Sequence, residues 1–273
     1  MTNETQLDWH AAFFAALQAE LVDYQDVLQF EQEHPLNENP LRIDAIVIKM
    51  PPGTKIKKNF AENFKGHNLF EYKSPEDSLT VSDYIKGIGY ACLYQAVENV
   101  KHTKITLTFV CTKKPSALLA YLKNTSNNRY TITEKHPGIY NITGEHFPVQ
   151  IIESKRLPPD ENFWLTSLKK NADKAGLEKA LEVNSVISRI INLGSYWYVV
   201  SRTNKNIVEK VIDMTAEQTT EIWGEALEKN GYNQKIKNEG MTTLANEARE
   251  LFEKGIDPSE ILRMIMSKAS SPT

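Results

Sequence analysis

Apolar positions along the chain follow two periods, and the switches between them predict the order of elements. From Trp9 to Asp23, Trp9, Phe13, Leu17, Glu20 and Leu21 recur at spacings of three and four, one face of a helix, with Asp8 placed to cap it. Val27–Glu33 and Leu41–Lys49 then read as two adjacent strands across the turn-rich segment His34–Pro40. The second is dense in β-branched residues (Ile43, Ile46, Val47, Ile48). Pro51, Pro52 and Gly53 stop it, a lysine-rich connection follows, and Asn68–Lys73 is a third strand ended by Ser74 and Pro75.

Helical spacing returns from Ser82 to Glu98 through Ile85, Ile88, Cys92, Leu93 and Ala96, with Thr80 or Ser82 as the cap. Gly87 and Gly89 weaken this helix intrinsically but would let it lie close against a sheet. Lys104–Thr112 is a Thr-rich fourth strand, and a short helix follows at Ser116–Leu122. Two more β segments, Tyr130–Ile142 and Pro148–Ser154, join through Gly144 and extend the sheet or form a hairpin.

After Pro158 and Pro159 the pattern changes. Phe163–Asn192, Thr215–Lys229, Met241–Lys254 and Pro258–Lys268 read as helices, and Ser195–Val200 is an apolar stretch of open type. Gly255, Asp257 and Pro258 separate the last two helices as a stop, a cap and a first-turn proline. The division expected is 1–157 and 158–273. Leu244, Leu251, Ile261 and Ile265 give the final helices apolar faces that would dock on the domain or on a second copy, a homo-oligomer.

Composition changes the picture little. A chain of 273 residues with 41% hydrophobic content can bury a core, so disorder is not the default. No run is long enough to span a membrane, and the polar, acidic Met1–His10 gives no leader pattern. Cys92 and Cys111 form neither a disulfide framework nor a metal-ligand spacing, and packed thiols in a cytoplasmic compartment are expected.

Charge is more informative. The formal net charge of -3 argues against a nucleic-acid coat protein. Yet residues 1–40 carry eight acidic side chains and no Lys or Arg, whereas residues 41–75 carry seven basic ones against three acidic. Lys55, Lys57 and Lys58 in that stretch suit a phosphate backbone; a solvated lysine-rich loop accounts for them equally well.

The candidate chemistry lies on the second and third strands. Asp44 puts a carboxylate inside an otherwise apolar strand, where a lone buried charge is costly. Glu71 and Lys73 are two residues apart, so alternation sends both to one face. If the strands are neighbours, the three converge at one end of the sheet, and Glu20 on the first helix would add a third carboxylate. Such a group suits Mg²⁺, or Mn²⁺, which takes a few carboxylate oxygens and leaves positions for water and phosphate. Lys73 would orient or deprotonate the attacking water. The competing expectation is an ion pair at the sheet end between Lys73 and Glu71 or Asp44, with Glu20 as a boundary residue.

The order of elements, Asp44 and Glu71-Tyr72-Lys73 together resemble the PD-(D/E)XK nuclease superfamily. Glu71-Tyr72-Lys73-Ser74-Pro75 and Gly138-Ile139-Tyr140 look most like its recombination-promoting nuclease and transposase-associated branch. The likeness covers residues 8 to 155, and Ile43 stands where the family often has proline. It implies an α/β fold with a restriction-endonuclease-like core (helix, three antiparallel strands, helix, strand), an added β-hairpin and a helical C-terminal region. It also implies Asp44, Glu71 and Glu20 as metal ligands and Lys73 as the catalytic lysine. Tyr90, Tyr94 and Gln95 fall in the helix where some branches place an auxiliary residue.

Of the six histidines only His67 is expected near such a site. There is no Walker A loop, dinucleotide-binding glycine pattern or nucleophile elbow, so no nucleotide cofactor is expected. Trp164, Trp197, Trp223, Tyr196 and Tyr198 read as core. The function expected is Mg²⁺-dependent hydrolysis of DNA; the alternative is an inactive nuclease fold acting as a binding or regulatory module through its helical C-terminal region.

Overall fold

The strand-period segments assemble into one mixed sheet. The computed structural model describes residues 8–32, 45–124, 129–187 and 190–204. Its strands are β1 (Gln29–Glu31), β2 (Ala45–Lys49), β3 (His67–Tyr72), β4 (Ile105–Cys111), β5 (Thr131–His136), β6 (Ile139–Thr143) and β7 (Val149–Glu153), in the order β1-β2-β3-β4-β7-β6-β5. β1, β2 and β3 pair antiparallel, β3, β4 and β7 run parallel, and β7, β6 and β5 are again antiparallel. Six α-helices accompany them among the described residues: α1 (Trp9–Glu20), α2 (Val81–Val97), α3 (Ser116–Asn124), α4 (Phe163–Ser167), α5 (Lys174–Ile187) and α6 (Gly194–Thr203). The fold is α/β. No helix among the described residues is long and apolar enough to cross a membrane.

The chain divides into two compact units, Ala16–Thr166, and Met1–Ala15 with Ser167–Thr273. In the first, one sheet face supplies Val47, Leu69, Leu107, Phe109, Val149 and Ile151 to a core closed by Tyr84, Ala91 and Tyr94 of α2 and Leu118 and Leu122 of α3. Only one of the two α2 glycines serves that contact. A Cβ at Gly87 would lie 2.5 Å from Cζ and 2.6 Å from Cε1 of Phe109, whereas one at Gly89 meets nothing within 4 Å. Phe109 is fully buried and stacked on Tyr84, so its ring has nowhere to go. Gly87→Ala is therefore expected to cost about 1–3 kcal/mol by overpacking. Gly89→Ala should stabilise by up to about 1 kcal/mol through helix propensity. Urea unfolding of the two variants checks the opposite signs.

Two expectations need correction. Tyr130–Ile142 is not one strand but the β5–β6 hairpin, turned at Gly138, where φ is +77° and a Cβ would come within 2.7 Å of the Glu153 carbonyl oxygen. Phe163–Asn192 is not one helix either: α4 and α5 are separated around Asn171, whose φ is +55°.

In the second unit Asn204 ties this break down. It accepts from the Ala172 N–H at 2.6 Å and donates to the Lys169 carbonyl at 3.0 Å. The open stretch Ser195–Val200 lies in α6, with Tyr196, Trp197, Val199 and Val200 buried. Trp164 is buried in the first unit, as a core residue should be. Trp223, the three later helices and Leu244, Leu251, Ile261 and Ile265 lie outside the described residues.

Candidate functional site

Alternation along β3 decides which side chains share a face. Leu69 packs into the core beneath α2, so Glu71, two residues on, faces the same way. Glu71 sits opposite Ala45 of β2 and Phe109 of β4 and is only 4% exposed. The pairing with β4 continues one step past β3, through the Lys73 N–H donating to the Val110 carbonyl at 2.8 Å. This carries Lys73 to the same face, its Nζ 3.5 Å from Oε1 of Glu71. The two side chains thus stand at the carboxyl end of parallel strands, the edge where open α/β sheets bind ligands.

A third residue completes the arrangement. Asp83 Oδ1 lies 2.9 Å from Lys73 Nζ, and Asp83 Oδ2 accepts from the backbone N–H of Thr80 at 2.9 Å and from its hydroxyl at 2.6 Å. The Thr80 hydroxyl accepts in return from the Asp83 N–H, a reciprocal cap on α2. The connection is tightened further by the Ser74 hydroxyl donating to Asp77. Asp83 was not among the expected site residues. The Thr80-x-x-Asp83 pattern was its available signal, because the third helical residue of a capping box turns its carboxylate back to the N-cap, and here that sets it beside Lys73.

Burial works against the charged form of Lys73, but the hydrogen bond to Asp83 and the charge of Glu71 outweigh it and raise its pKa. Lys73 is therefore held as a cation near neutrality by its two carboxylate neighbours. Burial also opposes ionisation of Asp83, and there the Thr80 and Lys73 hydrogen bonds prevail and lower its pKa.

Each shift has a sign in stability. The lowered Asp83 stabilises above its unfolded value, about 3.9, and that gain is lost as pH falls through the folded value. The raised Lys73 stabilises below its unfolded value, about 10.4, and loses the gain as pH rises through the folded one. Wild-type stability minus that of Asp83→Asn is expected to be flat from about pH 5 to 9 and to shrink outside that window. Denaturant titrations across pH measure it.

Asp44, which precedes β2, lies outside the described residues. Glu20, at the end of α1, is 3% exposed and has both oxygens taken. Oε2 pairs with Lys58 Nζ at 2.6 Å, while Oε1 accepts from the N–H groups of Trp164 at 2.8 Å and Leu165 at 3.2 Å. Burial raises its pKa, against the pull of Lys58 and the two N–H groups.

Glu20 is thus a clamp on the start of α4, not a ligand with an open oxygen. Lys58 is occupied in the same clamp and also donates to the Glu161 carbonyl at 2.7 Å, so it does not present an open cation to a phosphate. Lys55 and Lys57 are exposed. Among the described residues no group of three or more His, Cys, Asp and Glu side chains is placed to hold a metal ion.

On α2, Tyr90 lies under Lys86, 5.1 Å from its ring centroid, and Gln95 contacts His146 at 3.1 Å. Gln95 is twelve residues past Asp83, about 18 Å along the helix, and is not brought to Lys73. His67 opens β3 at the end away from Glu71 and contacts the Tyr94 hydroxyl at 2.7 Å. With Lys49, Lys65 and Lys104 it lines a cavity of about 600 Å³, which neither Glu71 nor Lys73 borders. Cys111 is the packed thiol expected, pushed up to about 12 by burial. Cys92 is exposed, because the side of α2 that carries it faces away from the sheet.

No family model, curated protein or solved structure matches the chain.

Proposed function

We propose that the protein is a metal-dependent nuclease acting on DNA phosphodiester bonds, with a restriction-endonuclease-like core formed by α1, β1–β3, α2 and β4. The observation that carries this assignment is the pairing of a buried Glu71 with a cationic Lys73 at the carboxyl end of β3, beside antiparallel β2 and parallel β4. Glu71 and Asp44 would hold Mg²⁺ or Mn²⁺, which when bound offsets phosphate charge and lowers the pKa of an attacking water. Lys73, held protonated by Asp83 and Glu71, orients that water through its hydrogen bonds and stabilises the negative charge that builds on the phosphate. Lys55 and Lys57 remain the lysines of their loop open to a backbone phosphate.

A second assignment, an inactive nuclease fold that binds or regulates, draws on the closed Glu20–Lys58 clamp and on the Lys73–Asp83 pair. The two are separated by cleavage of plasmid and linear DNA in Mg²⁺ or Mn²⁺, comparing wild type with Asp44→Ala and Lys73→Ala, each checked for folding by circular dichroism. Cleavage lost in both folded variants supports the nuclease. A folded wild type that cleaves neither DNA substrate favours the binding module.

A further inference from the structure

The three parallel strands end at one edge of the sheet, and the segments that follow them differ in charge. Glu76 and Asp77 come after β3, Lys113 and Lys114 after β4, and Lys155 and Arg156 after β7. Lys113, Lys114 and Lys155 are exposed, and none of them is in an ion pair with a described residue. Arg156 is taken by Glu134 at 2.8 Å and by the Tyr140 hydroxyl at 2.7 Å. In a chain of net charge -3, the β4 and β7 side of this edge is a local positive surplus.

Register places that surplus beside Glu71 and Lys73. The pairing of Lys73 carries β3 to the level of Cys111, which pairs with Glu153 of β7, and Lys113 and Lys155 each lie two residues past that level. Strands about 4.8 Å apart put β7 about 10 Å from β3, the rise of about three nucleotides of DNA. Lys114 marks the face: its Nζ lies 5.3 Å from the ring centroid of Tyr140, which belongs to the same core face as Leu69. Tyr140 is itself fixed, donating to Oε2 of Glu153 at 3.0 Å and accepting from Arg156. The loop that carries Lys55 and Lys57 packs on the other face, with Phe64 against Phe70 and the Phe60 carbonyl accepting from Gln150 at 2.8 Å.

We infer that Lys113, Lys114 and Lys155 hold the DNA backbone, carrying the substrate across the ends of β4 and β7 and setting one phosphate at Glu71 and Lys73. Glu76 and Asp77 repel phosphate on the far side of β3, so the bound strand extends toward β7. The position of the cut phosphate rests on the nuclease assignment; the binding surface is tested apart from it.

Fluorescence anisotropy of a short labelled DNA duplex over a salt series tests it, with the full chain in EDTA and, in Mg²⁺, with Asp44→Ala. Wild type is compared with the combined Lys113→Ala, Lys114→Ala and Lys155→Ala variant. A second triple, Lys65→Ala, Lys101→Ala and Lys104→Ala, makes the same change in net charge at the amino ends of β3 and β4. Those ends lie roughly 20 Å off, about two Debye lengths. The first triple is expected to bind about tenfold or more weaker and to lower the slope of log affinity on log salt by about 2–3, near one unit per lysine in the single variants. The second should stay within about threefold of wild type. Circular dichroism verifies folding, and all six side chains face solvent. A wild type that binds no duplex, or two triples that bind alike, overturns the inference. Binding lost in the first triple of a protein that cuts no DNA keeps the surface and removes the nuclease. Cleavage with KM unchanged in that triple keeps the nuclease and removes the surface.

Discussion

Lys73→Met is expected to reduce metal-dependent DNA cleavage by about 10²–10³-fold, the usual cost of removing one preorganised electrostatic group from a reacting centre. The folded state should survive, because Asp83 keeps both hydrogen bonds from Thr80 and with them the cap on α2. Lys73→Arg should recover little of the loss. A guanidinium keeps the charge, but its planar fork cannot occupy the position of a single ammonium 2.9 Å from Asp83 and 3.5 Å from Glu71. Glu71→Gln should match the loss and also raise the Mg²⁺ concentration needed for half-maximal cleavage, since an amide oxygen is a weaker ligand for a hard cation than a carboxylate. Single-turnover cleavage against Mg²⁺ concentration measures both quantities. A fall of less than tenfold in folded Lys73→Met would remove the basis for a catalytic lysine and leave it as a structural ion pair.

The second large effect concerns stability. Glu20→Ala is expected to destabilise the protein by about 2–5 kcal/mol, because it leaves the buried N–H groups of Trp164 and Leu165 without an acceptor and removes the carboxylate that pairs with Lys58. Glu20→Gln keeps an acceptor for the N–H groups of Trp164 and Leu165, and Lys58 is exposed enough to turn toward water. Its cost should be smaller, about 1–2 kcal/mol. Urea unfolding distinguishes the two. Mg²⁺ dependence of cleavage in Glu20→Gln is expected to equal wild type; a marked rise in the Mg²⁺ required would return Glu20 to the metal shell.

These effects show how differently two acidic residues can be read from the chain. Glu71 and Lys73 are two residues apart in extended chain at the end of β3, so their common face follows from spacing alone. Asp83 follows from the Thr80 cap. Glu20 carries no such local signal, since its partners Lys58, Trp164 and Leu165 are 38, 144 and 145 positions away. The same lysine spacing that suggests a phosphate-binding loop contains one lysine consumed inside the protein. His67 is near Glu71 in sequence, yet a strand of six residues is enough to put them toward opposite ends of the sheet.

The sequence by itself determined what depends on neighbours within a few residues: the positions of β2, β3, β4 and α2, the cap from Asp8, the narrowing of the α2 cap to Thr80 or Ser82, and the shared face of Glu71 and Lys73. Dihedral preferences, capping hydrogen bonds and side-chain periods are local, so they are written in local order. Only the tertiary structure decided that β7 lies beside β4, that Tyr130–Ile142 folds back at Gly138, that Glu20 closes on Lys58 and that Gly87 rather than Gly89 meets the sheet. Those outcomes depend on which distant surfaces bury one another and on which polar groups must then find partners. That choice is set by packing across the whole domain and has no period along the chain.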